Sequence, residues 1–245
     1  MPRYGDSDSI QWFEVEANYT FHILNSFEDD DEVVVWGCRA LDSIIPGPDA
    51  GLNKFEWFSK RLRPLNNNIS TTDQEDDISS RSREDGLLFS RCYEWRLNMQ
   101  TGQVRERNLT GTQFSMDFPI INPDFTGLQN RYGYTQVLDS IASSTSGMVK
   151  FGGLAKLDFE EVMKVEYHMF EENTFCTGAA FVSKEGGFQE DDGWIITFVH
   201  NEDTDISQVY IIDTNNFSCE PVVKITLPCR VPYGFHGAFM PITSH

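Results

Sequence analysis

Residues 93–109, YEWRLNMQTGQVRERNL, have the pattern of a strand, a tight turn and a second strand. Two later stretches that share this arrangement are GLAKLDFEEVMKVEYHM (153–169) and QVYIIDTNNFSCEPVVKITL (208–227). The turns begin at Asn98, Asp158 and Asp213. Asn and Asp suit this position because their side chains hydrogen-bond to the backbone two residues further on. The chain therefore contains a repeated strand–turn–strand unit.

Strand-like segments dominate the rest of the chain, since they are short, rich in β-branched and aromatic residues, and bounded by Gly, Asn and Asp. They cover residues 9–15, 19–27, 31–40, 92–99, 148–159, 162–170, 193–200, 207–213 and 221–227. Repeats of four short strands are typical of β-propeller blades, and inserted loops stretch their period. With WFEVEANYTFHILNSF (12–27) as an earlier, divergent copy, the sequence predicts an all-β propeller of about four blades. Four blades either close a ring or form an arc of a larger one.

Two segments depart from this pattern. GLNKFEWFSKRL (51–62) has Leu52, Phe55 and Phe58 at helical spacing, which predicts a small helical insertion. Residues 64–86 contain almost no apolar side chains, which predicts a mobile polar loop in solvent. Strands of the same kind resume beyond the loop, so we do not expect a domain boundary there.

Composition argues against some classes of partner. The net charge of −19 would repel a phosphate backbone, so we expect no nucleic acid partner. No stretch of about 18 apolar residues occurs, so we expect no transmembrane segment. The five cysteines include no C-x-x-C pair, which favours free thiols in a reducing compartment.

The five histidines can be weighed one by one. His22 and His236 lie among apolar residues, so each is either a core histidine with a backbone partner or a metal ligand. His168 and His200 adjoin acidic and polar residues and are predicted at the surface, and His245 ends the chain. Each propeller blade offers its innermost strand to the central axis, so residues 22 and 236 can meet there. Two imidazoles do not close a metal site, and the residues alone leave both interpretations open.

Longer stretches resemble a known family, the carotenoid cleavage oxygenases. The stretches that carry the resemblance are WFEVEANYTFHILNSFED (12–29), MDFPIINPDFTGLQNRYGY (116–134), EDDGWIITFVHNEDTDISQVYIIDT (190–214) and LPCRVPYGFHGAF (227–239). The likeness runs essentially from end to end. Its wording is nearest to plant members, in particular the zaxinone synthase-like branch.

The resemblance implies a seven-bladed propeller with a helical cap and a ferrous iron held on the axis by four histidines. Such proteins use O₂ to cut a conjugated double bond of a carotenoid or apocarotenoid, which gives two carbonyl products. His22 matches the third ligand of the family and His236 the fourth. The first two ligands would precede Met1, so we expect residues 1–245 to be the C-terminal part of a single propeller domain.

The resemblance also implies roles for residues around the histidines. Asp117 stands where the family places a carboxylate behind a ligand histidine, whereas Gly178 stands where it usually has glutamate. Glutamate at position 178 is therefore expected to raise iron affinity. Phe21, Phe118 and Phe235 resemble residues that line the substrate tunnel. Neighbours on a regular strand point to opposite faces, so Phe21 can share a site with His22 only through a β-bulge or by covering the mouth of the channel.

Competing interpretations follow from the same residues. A propeller fragment without activity, acting as a binding or structural module, is favoured by the missing ligands and by Gly178. Isomerisation or ester-bond chemistry at the same iron is a third. The family suggests the plastid as location, with the cytosol as the alternative, and it allows peripheral membrane contact of a full-length protein. The expected partners are O₂ and an apolar carotenoid or apocarotenoid.

Overall fold

Antiparallel strands make up most of the computed structural model, which describes residues 4–41, 89–161 and 164–242 together with Asn53 and Glu56. The strands are β1 (Tyr19–Asp29), β2 (Glu32–Ala40), β3 (Arg91–Asn98), β4 (Val104–Asn108), β5 (Met116–Ile120), β6 (Tyr132–Leu138), β7 (Phe151–Asp158), β8 (Val165–Met169), β9 (Thr174–Ser183), β10 (Gly193–Asn201), β11 (Ile206–Asp213) and β12 (Val223–Thr226). Helix α1 spans Ser140–Ser146. Glu56 is also α-helical. The all-β prediction is confirmed.

The strands form three four-stranded units in chain order. The first is a separate sheet in the order β1-β2-β3-β4. The second and third, β5 to β8 and β9 to β12, join into one larger sheet through a single pair between Phe151 and Cys176. The sequence predicted about four such units. The described residues contain three.

The predicted turns form as expected. The side chain of Asn98 accepts the backbone N–H of Gln100 at 3.0 Å, two residues further on. Asp213 accepts that of Asn215 at the same distance, also two residues on. Each turn joins neighbouring strands and so fixes the order in which they pair.

Other predicted elements differ from the structure. The strand predicted at 9–15 does not form, and residues 10–18 have no regular structure. Their composition is strand-like, but no neighbouring strand in the described ranges pairs with them. Strands β5 and β9 were missed, since Pro119 and Gly178 interrupt their strand-like composition. Helix α1 was also missed, although Asp139 accepts the Ala142 N–H at its start.

Two predicted segments fall on residues that lie outside the described ranges. These are the helical insertion at 51–62, apart from Asn53 and Glu56, and the polar loop at 64–86. Asn53 and Glu56 exchange hydrogen bonds between backbone N–H and side chain, at 3.0 and 3.2 Å. Among the described helices, none has the length and apolar character needed to cross a membrane.

A buried cluster holds the two sheets together. Leu24 and Trp36 from the first sheet pack with Met116 and Leu157 from the second. The Trp36 ring lies 3.9 Å, centroid to centroid, from that of Phe159. Aromatic and aliphatic burial of this kind stabilises a domain by roughly 1.5–3 kcal/mol per large side chain. The cluster therefore fixes β1 against β5, the strands that carry His22 and Asp117.

All five cysteines are free thiols, and three of them are buried. Burial raises the pKa of Cys176 to about 12. Only Cys219 and Cys229 are exposed, so we expect two labels per molecule when the folded chain is alkylated near neutral pH and five after unfolding. Intact mass spectrometry gives the count. A folded protein that takes up three or more labels would contradict the packing of the core thiols.

Candidate metal centre

His22 in β1 is oriented by a carboxylate from another blade. Its Nδ1 lies 2.9 Å from Oδ1 of Asp117 in β5. The same oxygen accepts the backbone N–H of Phe118 at 2.7 Å. When a carboxylate accepts the proton of Nδ1, the Nε2 lone pair is left free to bind a metal. His22 is thus held in the tautomer that a metal ligand requires.

His236 reaches the same place from the segment that follows the last strand. Its ring centroid lies 5.1 Å from that of His22, and the two planes meet at 72°. The structure therefore brings the rings of two histidines that are 214 residues apart in sequence into edge-to-face contact. Both are half-buried or exposed rather than packed in the core.

Among the described residues, His22 and His236 are the two histidines whose rings meet at the candidate site. No group of three or more His, Cys, Asp or Glu side chains there is arranged to hold a metal ion. Oδ1 of Asp117 already bonds to Nδ1 of His22 and to the backbone N–H of Phe118. The chain can therefore supply two ligands of a larger set.

Three β-bulges surround the histidine pair. At Phe21 the pairing of β1 with β2 shifts register, and at Phe118 the pairing of β5 with β6 does so. Gly178 is left unpaired between β9 and β10. Bulges redirect side chains and are frequent beside functional sites. The bulge at Phe21 lets its ring contact that of His22, at 4.7 Å, as the sequence required if both were to share a site.

Phe118 is the aromatic centre of the site. Its ring lies 4.4 Å from His22 and 5.2 Å from His236, and it stacks on Phe235 at 5.5 Å. The backbone of Phe118 has a φ of 56°, a left-handed conformation that costs a residue with a side chain about 1–2 kcal/mol. The surrounding contacts hold this residue against that cost. The three phenylalanines predicted from sequence therefore lie around the two histidines.

Two cavities open on either side of this aromatic group, with volumes of about 290 and 580 Å³. Phe118, Phe235 and His236 border both of them. The smaller cavity is lined mainly by apolar side chains, which are Tyr19, Phe21, Met116, Leu138, Val149 and Phe151.

Gly178 contacts the backbone of the histidine segment. Its φ is 59°, and a Cβ added there would lie 2.8 Å from the carbonyl carbon and oxygen of His236. By the family resemblance, Gly178 stands where a glutamate carboxylate is usual. The structure adds a second reason for it, because no side chain fits between β9 and the His236 backbone.

Cys38, Gln136 and Thr177 were not singled out by sequence. Cys38 lies directly opposite His22 on β2. A hydrogen bond with Cys92, burial and the nearby Asp117 carboxylate raise the pKa of Cys38 well above its usual range, so it stays a neutral thiol. Gln136 and Thr177 hydrogen-bond to the backbone just before His236. None belongs to a motif, so only cross-strand pairing could have revealed them.

The two histidines predicted at the surface are buried. His168 donates from Nδ1 to the Phe217 carbonyl at 2.9 Å, and His200 lies 2.9 Å from the Ser207 hydroxyl. Burial lowers the pKa of His168. The surface prediction was wrong for both because strand pairing covers their rings despite polar neighbours in sequence. His200 also packs against Tyr233, in the segment that leads to His236, with the ring centroids 6.0 Å apart. His245 lies outside the described residues.

Comparisons with known proteins show the family of the chain and its fold. A sequence model of the retinal pigment epithelial membrane protein family matches residues 1–241. Carotenoid 9,10(9',10')-cleavage dioxygenase 1 of Arabidopsis thaliana is 35% identical over 249 residues, which cover 98% of this chain and 40% of the relative. The 9-cis-epoxycarotenoid dioxygenase NCED1 of Oryza sativa subsp. japonica, named chloroplastic, is 30% identical over 98% of this chain and 32% of the relative.

The fold has a solved counterpart in lignostilbene dioxygenase of Pseudomonas brassicacearum. The TM-score is 0.75 at 16% identity, with 98% of this chain and 45% of that one covered. This likeness shows the fold, so the three four-stranded units are blades of a propeller. The chain belongs to the retinal pigment epithelial membrane protein family, which includes the carotenoid cleavage dioxygenases. It spans about two fifths of the length of its curated dioxygenase relatives.

Proposed function

We propose that His22 and His236 are two of four histidine ligands of a ferrous iron in a dioxygenase. The reaction cleaves a conjugated double bond of a carotenoid or apocarotenoid with O₂ and gives two carbonyl products. The observation that carries the proposal is the pair of rings at 5.1 Å, one of them oriented by Asp117. Residues 1–245 are then the C-terminal part of one propeller domain.

The donor set fits ferrous iron. Neutral imidazoles are normal ligands of iron, and a set made only of imidazoles leaves the full positive charge on the metal. Ferrous iron supplies oxygen-activating chemistry when it is bound. A proton shared between Nδ1 of His22 and the Asp117 carboxylate would leave Nε2 of His22 to hold the iron.

The aromatic side chains position the substrate. Phe21, Phe118 and Phe235 form an apolar wall beside both histidines, where a polyene would lie with one double bond at the metal. Neither cavity offers a row of charged side chains, which suits a substrate that is apolar along its length.

The finer assignments are part of this proposal. We place the protein in the plastid, in keeping with relatives that are named chloroplastic or chromoplastic. The zaxinone synthase-like branch rests on wording alone and stays a prediction. The competing role, a binding or structural module without activity, is favoured by the absence of a group of three or more metal-binding side chains among the described residues.

A chimera tests the function directly. The chain replaces the matching region of the Arabidopsis dioxygenase, and iron content and apocarotenoid-dependent O₂ uptake are measured beside the unmodified relative. We expect one iron per molecule and two carbonyl products by mass spectrometry. A folded chimera that binds iron but isomerises the substrate, or cleaves an ester, would redirect the proposal. One that folds without iron would favour the module.

A further inference from the structure

His236 differs from His22 in how it is held. His22 has a carboxylate on its ring, whereas neither ring nitrogen of His236 has a hydrogen-bond partner among the described residues. His236 also lies in a segment without helix or strand, after the last strand. A ligand in such a segment needs its backbone fixed if its ring is to stay in place.

Thr177 in β9 binds the backbone two residues before His236. Its hydroxyl donates to the carbonyl of Gly234 at 2.6 Å and accepts the N–H of the same residue at 2.6 Å. The side chain is buried, so water does not replace these bonds readily. One hydroxyl therefore satisfies both backbone groups of Gly234.

Gln136 in β6 binds the next residue along. Its side-chain amide donates to the carbonyl of Phe235 at 3.3 Å, and its side-chain oxygen lies 3.7 Å from the Cys176 thiol. Gln136 is only 1% exposed, which is rare for an amide without a specific partner. It also lies directly opposite Asp117 in the pairing of β5 with β6. The side chains that serve the two histidines are thus neighbours on one face of the sheet.

The backbone on the far side of His236 is fixed by close packing. Gly178 and Gly237 face each other so closely that a Cβ on Gly237 would lie 2.9 Å from the carbonyl carbon of Gly178. The segment is therefore held before and after the histidine, by two buried side chains on one side and by a glycine pair on the other.

We propose that Thr177 and Gln136 are positioning residues that hold the His236 ring beside His22 in place of a carboxylate on the ring. Their role rests on the proposed function, since a fixed ring matters most if it binds a metal. Thr177 sits on β9 and Gln136 on β6, so β7 lies between their strands and both of the last two blades contribute. Both residues act on the position of the His236 ring through hydrogen bonds to the backbone of its segment.

The test compares three variants of the chain itself. Thr177→Val keeps the shape and removes the hydroxyl, and Thr177→Ser restores it. Thr214→Val is the matched control, because Thr214 is also buried and its hydroxyl bonds to the backbone of Asp191 and Gly193 instead of the His236 segment. Chains labelled on His and Phe rings are examined by NMR for the contact between His236 and Phe118, whose centroids are 5.2 Å apart.

We expect this ring contact to disappear in Thr177→Val and to persist in Thr177→Ser and Thr214→Val. A contact of unchanged strength in folded Thr177→Val would overturn the inference. Thermal unfolding shows whether each variant folds. If Thr177→Val does not, Gln136→Met decides by the same readout, since loss of the contact supports the proposal and its retention refutes it.

Iron binding gives a second measurement that separates this proposal from the function. In the chimera, Thr177→Val should weaken Fe²⁺ binding about 10- to 100-fold, the usual loss when an outer partner of a metal ligand is removed, while Thr177→Ser stays near wild type. A wild-type chimera that binds no iron would refute the function. The ring contact in the chain would still decide whether Thr177 positions His236.

Discussion

Replacing His236 by alanine is expected to abolish iron retention in the chimera. His236 supplies one of the two imidazoles at the 5.1 Å spacing, and no other histidine of the described residues lies close enough to take its place. His168 and His200 are engaged with Phe217 and Ser207 in the core. Iron content after desalting measures the effect.

The matched control for this change is His168→Ala, a buried histidine whose ring hydrogen-bonds to the Phe217 carbonyl instead of contacting the His236 segment. It should cost stability and leave one iron per folded molecule. His236 is exposed in the described chain, so its removal should hardly change the unfolding temperature of the metal-free protein. Iron retained at the wild-type level in His236→Ala would refute the ligand assignment.

Glutamate at position 178 is expected to destroy the site rather than improve it. Sequence comparison alone suggested that this carboxylate would raise iron affinity. The structure predicts the reverse, because a Cβ there would lie 2.8 Å from the His236 carbonyl and 2.9 Å from the Gly237 nitrogen. The positive φ adds ~1–2 kcal/mol of strain, and overpacking typically adds ~1–3 kcal/mol. The His236 segment must leave β9, and iron binding should fall with it.

Gly186 offers a matched control for Gly178→Glu. Its φ is 74°, but no atom lies within 4 Å of an added Cβ. Gly186→Glu therefore carries the backbone strain without the collision and should keep its iron. The measurements are the iron dissociation constant and the His236–Phe118 ring contact. Tighter iron binding by Gly178→Glu would restore the view of this glycine as a lost carboxylate.

The sequence predicted the fold class because its signals are local. Asn98 and Asp213 mark turns through bonds to their own backbone, and the strands beside them alternate or bury apolar residues. Strands β5 and β9 escaped because Pro119 and Gly178 are poor strand residues, acceptable here only where a bulge interrupts the pairing. Composition cannot indicate which neighbour a strand will have.

The candidate site was predictable only in part. His22, Asp117 and His236 stand in motifs that resemble a family, and the structure places them together. Thr177 and Gln136 act on the backbone of a segment 57 and 99 residues away, and neither bond leaves a local trace in the sequence. The prediction that His168 lies at the surface was wrong for the same reason, since its partner, the Phe217 carbonyl, is 49 residues away in sequence.

The separation of 214 residues between the two histidines in sequence also bears on the order of events in folding. Blades made of adjacent strands can form early, because their contacts are local, whereas pairing across distant segments comes late. The histidines meet only after the blades have docked and the final segment has settled on β9. A metal that needs both rings would then bind after the rate-limiting step, and it would protect the protein by slowing its unfolding instead of speeding its folding.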